Sequence, residues 1–305
     1  MMAETHGAPT PFQAYAYLDI EHPVVAWGVY RGVLVSAQAS TAPPNCPVSL
    51  MFAGIVHYKS NVRLQNEIII DAVRASQFPS RTSRLAGMYF FTDSAQAAKA
   101  ESWGGHFRPE NLGEVEVHPV GEVTRVDSDW ITYAETDRLG NLDTSDLSWI
   151  ERYWAGEPHG STPVWETIVQ GRAVVFGTKL RERAYNVLAR DFPSALDTLE
   201  MARLAAEVGS DLGQTGAWIT QSEPDRLRLD YYLDMQDGHN PELHERLRAY
   251  GGPRNYRDLV PGKETFGLPD FRPYGRDFVV SQRLHPEVGL PLTTLHQAVV
   301  GSEPG

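Results

Sequence analysis

The 305-residue sequence has a single cysteine, Cys46, and no apolar run near the roughly 20 residues that a membrane-spanning helix requires. One cysteine excludes an intrachain disulfide and any zinc or iron–sulfur site built from several thiolates. The N-terminal residues lack the basic and apolar segments of a secretory signal. The expectation is therefore a cytoplasmic protein without a membrane partner.

Familiar nucleotide and hydrolase motifs are also missing. There is no Gly-x-Gly-x-x-Gly, no Gly-x-x-x-x-Gly-Lys-Ser/Thr and no Gly-x-Ser-x-Gly, and the histidines have no metal-ligand spacing. We therefore predict no metal site. The 27 basic and 39 acidic residues give a net charge of −12, which disfavours nonspecific binding to nucleic acid.

The apolar residues recur with both helical and strand periods, which indicates an α+β fold. Residues 12–36 predict two short strands, and 64–75 predict an amphipathic helix with Arg63, Glu67, Asp71 and Arg74 on its solvent face. Residues 88–91 predict a buried strand that leads into a helix over 95–103, with Asp93-Ser94 as its N-cap. Residues 164–176 predict a hairpin that turns at Gln170-Gly171.

The C-terminal part predicts two adjacent helices, over 179–192 and 194–208, then a strand from residue 225 and a helix over 241–250. Residues 251–274 contain several Gly and Pro, which favours an extended segment that wraps around the protein or lines a cleft. We divide the chain into a domain over 12–177 and a helical and extended region over 178–305, packed on the first or separate from it.

The run Gly87-Met88-Tyr89-Phe90, followed by a helix of small residues, resembles the strand-to-helix segment of the ADP-ribosyltransferases. The resemblance extends to the poly(ADP-ribose) polymerase and rifampicin-modifying branches. Pro163-Val164-Trp165-Glu166 is similar to the segment that carries the catalytic glutamate. The Tyr-Trp-x-Gly, Pro-x-Trp-Glu and FPSRTSR segments also resemble an uncharacterised bacterial family of transferase-like proteins. Together these segments cover about half of the chain.

The resemblance implies a split β-sheet core with flanking helices, followed by a C-terminal α/β extension. It implies NAD as a substrate that binds without a metal ion, with Tyr89 stacked on nicotinamide and Glu166 activating the ribose. The candidate cofactor contacts are Ser83, Arg84, Tyr89 and Tyr17, with Arg84 or Arg81 pairing with the pyrophosphate. A carboxylate suits this chemistry because cleavage of the nicotinamide–ribose bond develops positive charge on the sugar.

The opening strand, Gln13-Ala14-Tyr15-Ala16-Tyr17, lacks the His or Arg that the family places there. Three functions therefore stay open: ADP-ribosyl transfer to an acceptor, hydrolysis of the dinucleotide by a glycohydrolase toxin, and a noncatalytic module that senses nucleotides or binds a protein. No motif identifies the acceptor, and the resemblance does not extend to residues 178–305.

Overall fold

The computed structural model of the protein describes residues 10–37, 45–58, 61–223, 226–253 and 267–279. The helices are α1 (Pro23–Arg31), α2 (Leu50–Tyr58), α3 (Asn61–Gln77), α4 (Ser94–Ala100), α5 (Asp129–Thr132), α6 (Ser148–Ala155), α7 (Thr178–Asp191), α8 (Leu196–Glu207) and α9 (Pro241–Ala249). The strands are β1 (Phe12–Tyr17), β2 (Val33–Val35), β3 (Asn45–Val48), β4 (Met88–Phe90), β5 (Leu112–Pro119), β6 (Thr124–Asp127), β7 (Trp165–Val169), β8 (Gly171–Val175), β9 (Thr215–Glu223), β10 (Arg226–Leu233) and β11 (Arg276–Val279). The α+β class is confirmed.

The described strands form three antiparallel sheets. Sheet 1 has the order β1-β5-β8-β2, sheet 2 the order β4-β7-β6, and sheet 3 the order β11-β10-β9-β3. Sheets 1 and 2 are joined at their edges, because Tyr15 of β1 exchanges both backbone hydrogen bonds with Phe91 just beyond β4. This junction brings the end of β1 beside β4.

Strands β7 and β8 carry one stretch of chain from sheet 2 into sheet 1. They do not pair with each other, so the predicted hairpin is wrong: β7 lies between β4 and β6, and β8 lies between β5 and β2. Only Gln170 separates them, and one residue is too short to reverse a chain. Gly171, at φ 148°, instead bends the strand where it changes sheet.

Residues 12–36 contain a helix where two strands joined by a turn were predicted. The β-rich composition of Val24, Val25, Trp27 and Val29 misled the prediction, because all four side chains are buried and helix packing overrides their strand propensity. Pro23 begins the helix, and Gly32 ends it in the left-handed conformation at φ 95°.

Helix α3 extends beyond its predicted bounds of 64–75, and its charged face points inward. The prediction that Glu67, Asp71 and Arg74 face solvent is wrong, since all three side chains are buried. Arg74 pairs with Asp71 at 2.8 Å, and Arg63 pairs with Glu67 at 2.6 Å. Helical spacing alone did not reveal that this face meets other charged groups.

The N-terminal and C-terminal parts of the chain share one core. Strand β3 pairs with β9 in sheet 3, and α1 packs against α7 and α8. Phe271, in the part of the extended segment that the structure describes, packs edge-on against Trp27 and Phe192. Helices α7 and α8, strand β9 and Phe271 are thus packed on the first part.

Four of the predicted C-terminal elements are present as α7, α8, β10 and α9, while β9, between α8 and β10, was not predicted. Helix α4 has the predicted N-cap, since the Asp93 side chain accepts a hydrogen bond from the Gln96 amide at 2.8 Å. None of the described helices has the length and apolar character needed to cross a bilayer.

Substitution Gly171→Ala should destabilise the fold by about 2 kcal/mol or more, because the positive φ disfavours a side chain. A Cβ atom there would also lie 2.1 Å from the backbone oxygen of His118. Urea unfolding of the purified variant measures the loss. Gly160→Ala is the matched control, since nothing lies within 4 Å of its Cβ position. Equal stability of both variants would contradict this account of the bend.

Candidate functional site

A cleft opens where sheets 1 and 2 meet α2 and the loop that precedes β5. It has a narrow inner recess and an outer chamber of about 660 Å³. Six residues line both spaces and form what we call the neck: Asp19, Gly54, Ile55, His106, Phe107 and Glu166. A ligand that fills the cleft must pass through this neck.

The inner recess is lined mainly by apolar and aromatic side chains from β1, β2, α2 and β4. Its remaining lining residues are Tyr17, Leu18, Val25, Leu34, Val35, Leu50, Met51, Met88, Tyr89 and Phe91. The outer chamber is more polar and contains Arg63, Arg84, Arg108 and Ser128. The cleft therefore suits a ligand with a flat apolar end and a polar remainder.

Glu166 lies at the neck and is held in a fixed position. Its Oε2 atom accepts hydrogen bonds from the Arg84 guanidinium at 3.1 Å and from the Ser128 hydroxyl at 3.0 Å. Both bonds use the same oxygen, and no described residue bonds to Oε1. The residue is 6% exposed, and its carboxylate has one oxygen without a partner among the described residues.

The backbone around Glu166 is organised by Asp127 at the end of β6. The buried Asp127 carboxylate accepts hydrogen bonds from the amides of His159 and Val164, in the loop that leads to β7. Ser128 follows Asp127 directly, and Val126 is paired with Glu166 across the sheet. The register of β6 against β7 therefore brings the Ser128 hydroxyl to the Glu166 carboxylate.

Arg84 is the centre of a buried network behind the neck. Its guanidinium donates to Glu67 at 2.9 Å and 3.4 Å, to the Tyr153 hydroxyl at 2.9 Å and to Glu166. The Arg84 Cζ atom also lies 4.8 Å from the centre of the Tyr89 ring, a cation–π contact. Burial would lower the pKa of Arg84, but Glu67 and the other neighbours raise it well above its usual value.

Glu67 is charged despite complete burial. Desolvation would raise its pKa, but Arg84 and Arg63 outweigh that effect and hold the pKa below its usual value. Three successive ion pairs connect four side chains whose charges alternate in sign. The series starts at Arg63 in the outer chamber, continues through the buried Glu67 and Arg84, and ends at Glu166 in the neck. The alternation lets four charges, three of them buried, lie close together.

Tyr89 and Tyr17, both sequence candidates, line the inner recess. Tyr89 lies on β4, and its hydroxyl donates to the backbone oxygen of Arg84, while burial raises its pKa well above the usual value. Tyr17 lies at the end of β1, and its hydroxyl donates to the backbone oxygen of Ala97 at 2.9 Å. Both hydroxyls are engaged inside the protein, so the rings are the parts available to a ligand.

The other polar candidates are committed to internal contacts. Ser83 donates to Asp71 at 2.7 Å and is buried. Arg81 pairs with Glu122 at 2.9 Å, and neither residue is among those that line the cleft. Arg84 does line the outer chamber, but its guanidinium already serves two carboxylates and a tyrosine.

Basic residues reach the cleft from elements other than the opening strand. The loop over 104–111 lies against the end of β1, where the Leu18 amide donates to the Asn111 oxygen at 2.9 Å. It brings His106 and Arg108 to the outer chamber, and α3 brings Arg63. The opening strand β1 carries no His or Arg, but Arg63 and Arg108 supply positive charge to the outer chamber beside it.

Three residues of the site escaped sequence reasoning: Glu67, Ser128 and Asp19. Glu67 was assigned to solvent, and Ser128 has no motif around it. Tyr153 belongs to the Tyr-Trp-x-Gly segment, but no role was predicted for it. The only signal for Glu67 was its pairing with Arg63 one helical turn earlier. Across the described ranges, no group of three or more His, Cys, Asp or Glu side chains has the arrangement of a metal site.

One family model matches the chain, over residues 49–182, and its description is a protein of unknown function (DUF2441). The matched stretch runs from the residue before α2 into α7 and contains Arg63, Glu67, Arg84, Tyr89 and Glu166. Comparison with curated proteins finds no match. The similarity therefore covers the charged network of the cleft and leaves β1 and sheet 3 strands β9 to β11 outside it.

Substitution Glu67→Gln should destabilise the protein by about 3 kcal/mol, because it leaves Arg84 buried with less compensating charge. The pKa of Glu67 is lowered in the fold, so its stabilisation is present above about pH 4.3, its unfolded pKa, and is lost as pH falls further. The variant should lose that acid dependence. Chemical unfolding from pH 3 to pH 7 measures both effects.

Glu122→Gln is the control for this experiment, since it removes a partly exposed pair with Arg81. Such pairs contribute about 1 kcal/mol or less. A Glu67 variant no less stable than the Glu122 variant would contradict the structural role given to the buried network.

Proposed function

We propose that the protein cleaves the nicotinamide–ribose bond of NAD and transfers ADP-ribose to an acceptor. The observation that carries the proposal is the meeting of Tyr89 and Glu166, remote in sequence, at one recess and its neck. Nicotinamide is flat and mostly apolar, which suits a recess walled by aromatic rings. The resemblance of these two segments to the ADP-ribosyltransferases supports the same assignment.

The bond that breaks lies at the neck when nicotinamide occupies the recess. The free Oε1 atom of Glu166 then faces the ribose, where it accepts hydrogen bonds from hydroxyls and stabilises positive charge on the sugar. Arg84 and Ser128 hold the carboxylate at Oε2, so no reorganisation is needed as that charge develops. Their role is to position Glu166.

In this proposal Arg63 and Arg108, and not Arg84, bind the pyrophosphate. Both line the outer chamber, through which the remainder of the dinucleotide extends. Trp103, His106 and Phe107 line the same chamber and offer aromatic surface for a purine base. Ser83 has no role in this arrangement, since its hydroxyl is bonded to Asp71.

A noncatalytic nucleotide-binding module is the second candidate. It is favoured by the complete pairing of Arg84 inside the protein and by the opening strand without His or Arg. Both candidates bind the dinucleotide in the same cleft. They differ in whether nicotinamide is released.

Substitution Glu166→Gln should lower the rate of nicotinamide release from NAD at least about 100-fold while the dinucleotide still binds. The amide preserves the shape of the side chain but removes its negative charge from the ribose. Release is measured by chromatography and binding by calorimetry. Binding without release in the wild-type protein would favour the noncatalytic module, and the absence of both would rule out each candidate.

Tyr89→Ala should weaken NAD binding by about 1–2 kcal/mol, since it removes the ring that stacks on nicotinamide. Tyr89→Phe is the matched control: it keeps the ring and loses only the hydroxyl bonded to the Arg84 backbone. If Ala and Phe variants bind equally well, the stacking role is excluded.

A further inference from the structure

Glu166 is poorly suited to remove a proton from an acceptor, because the proposed reaction already requires its free oxygen at the ribose. Its other oxygen accepts from Arg84 and Ser128. Transfer to water or to a hydroxyl nevertheless releases a proton as the new bond forms. Glycoside chemistry of this type ordinarily uses two carboxylates for these two tasks.

The neck contains a second carboxylate, that of Asp19. It lies two residues after the end of β1, is half-buried, and lines both the recess and the outer chamber, as Glu166 does. Within the described ranges its carboxylate makes no hydrogen bond or ion pair, in contrast to the fully engaged Glu67 and the half-engaged Glu166.

We infer that Asp19 is the general base that deprotonates the acceptor in the proposed ADP-ribosyl transfer. The inference rests on the proposed function and adds a catalytic residue to it. With water as acceptor, the water oxygen bonds to the ribose C1′ as the C1′–N bond breaks. The electron pair of that bond leaves with nicotinamide, and the proton of the water passes to the Asp19 carboxylate, which later returns it to solvent.

The position at the neck explains why Asp19 and not another acid has this role. A general base must lie within hydrogen-bond reach of the nucleophile. The nucleophile attacks the ribose C1′, which lies between nicotinamide in the recess and the rest of the dinucleotide in the outer chamber. Glu21 also lines the outer chamber but does not line the recess. Aside from Glu166, Asp19 is the acidic residue that the described part of the chain brings to both spaces.

The test compares Asp19→Asn with Glu122→Gln, which removes an acid that does not line the cleft. Asp19→Asn should lower the kcat for nicotinamide release by about 100-fold or more, with the calorimetric Kd for NAD changed less than about threefold. Glu122→Gln should change neither. A kcat within threefold of wild type, or a loss confined to NAD binding, would overturn the inference.

Chemical rescue by azide separates a base from a structural residue, because azide attacks C1′ without giving up a proton. Asp19→Ala leaves space at the neck, so azide should restore release at least tenfold and yield an azido ADP-ribose detectable by mass spectrometry. The same anion should not rescue Glu166→Gln. Failure of azide to rescue the Asp19 variant, although it binds NAD, would also overturn the assignment.

The same measurements distinguish the two levels of proposal. A wild-type protein that releases no nicotinamide overturns the proposed function and this inference with it. A wild-type protein that releases nicotinamide, together with an Asp19→Asn variant of equal kcat, overturns only the role of Asp19 and leaves the transferase assignment in place.

Discussion

The buried guanidinium of Arg84 is the interaction on which the candidate site depends. It joins α3, through Glu67, to α6, through Tyr153, and to β7, through Glu166. Desolvating a cation is costly unless carboxylates and hydrogen bonds surround it, and here both are supplied. Three separate elements are therefore fixed around one charge. The position of the neck carboxylate is a consequence of that arrangement, since Glu166 is one of the groups that compensate Arg84.

The strand that changes sheet gives this network its second constraint. Glu166 precedes the bend at Gly171, and the same chain then becomes the centre of sheet 1 as β8. Sheet 1 ends in β1, where Tyr17 lines the cleft, and Asp19 lines it two residues beyond the strand. Glu166 thus lies in sheet 2 and Asp19 lies just beyond an edge strand of sheet 1, and the continuous chain of β7 and β8 connects the two sheets. A shift of β7 against β6 by one residue would turn Glu166 to the opposite face.

Sequence patterns anticipated the fold class, most helices and the strand that carries Tyr89, because these depend on local periodicity and capping. They did not anticipate the inward face of α3 or the bend at Gly171. Burial of Glu67 depends on Arg84 as well as on Arg63 in its own helix, and Arg84 comes from a loop beyond that helix. Gly171 carries the same turn signal as a hairpin glycine, and only its pairing with β5 on one side identifies a bend. Both errors arise from contacts that are distant along the chain.

The candidate residues differ in how much of their hydrogen-bonding capacity is used by contacts within the protein. Ser83, Arg81 and Arg84 resembled ligand contacts in the sequence, yet each is bonded to a carboxylate of the protein: Ser83 and Arg84 in the interior, Arg81 in a partly exposed pair. Tyr89 and Glu166 also have internal bonds, but each keeps a surface toward the cleft: an aromatic ring in one case and Oε1 in the other. A buried polar group can serve a ligand only with the part of its bonding capacity that folding leaves unused. By that criterion Asp19, whose carboxylate makes no hydrogen bond or ion pair within the described ranges, is a stronger candidate than the arginine at the centre of the network.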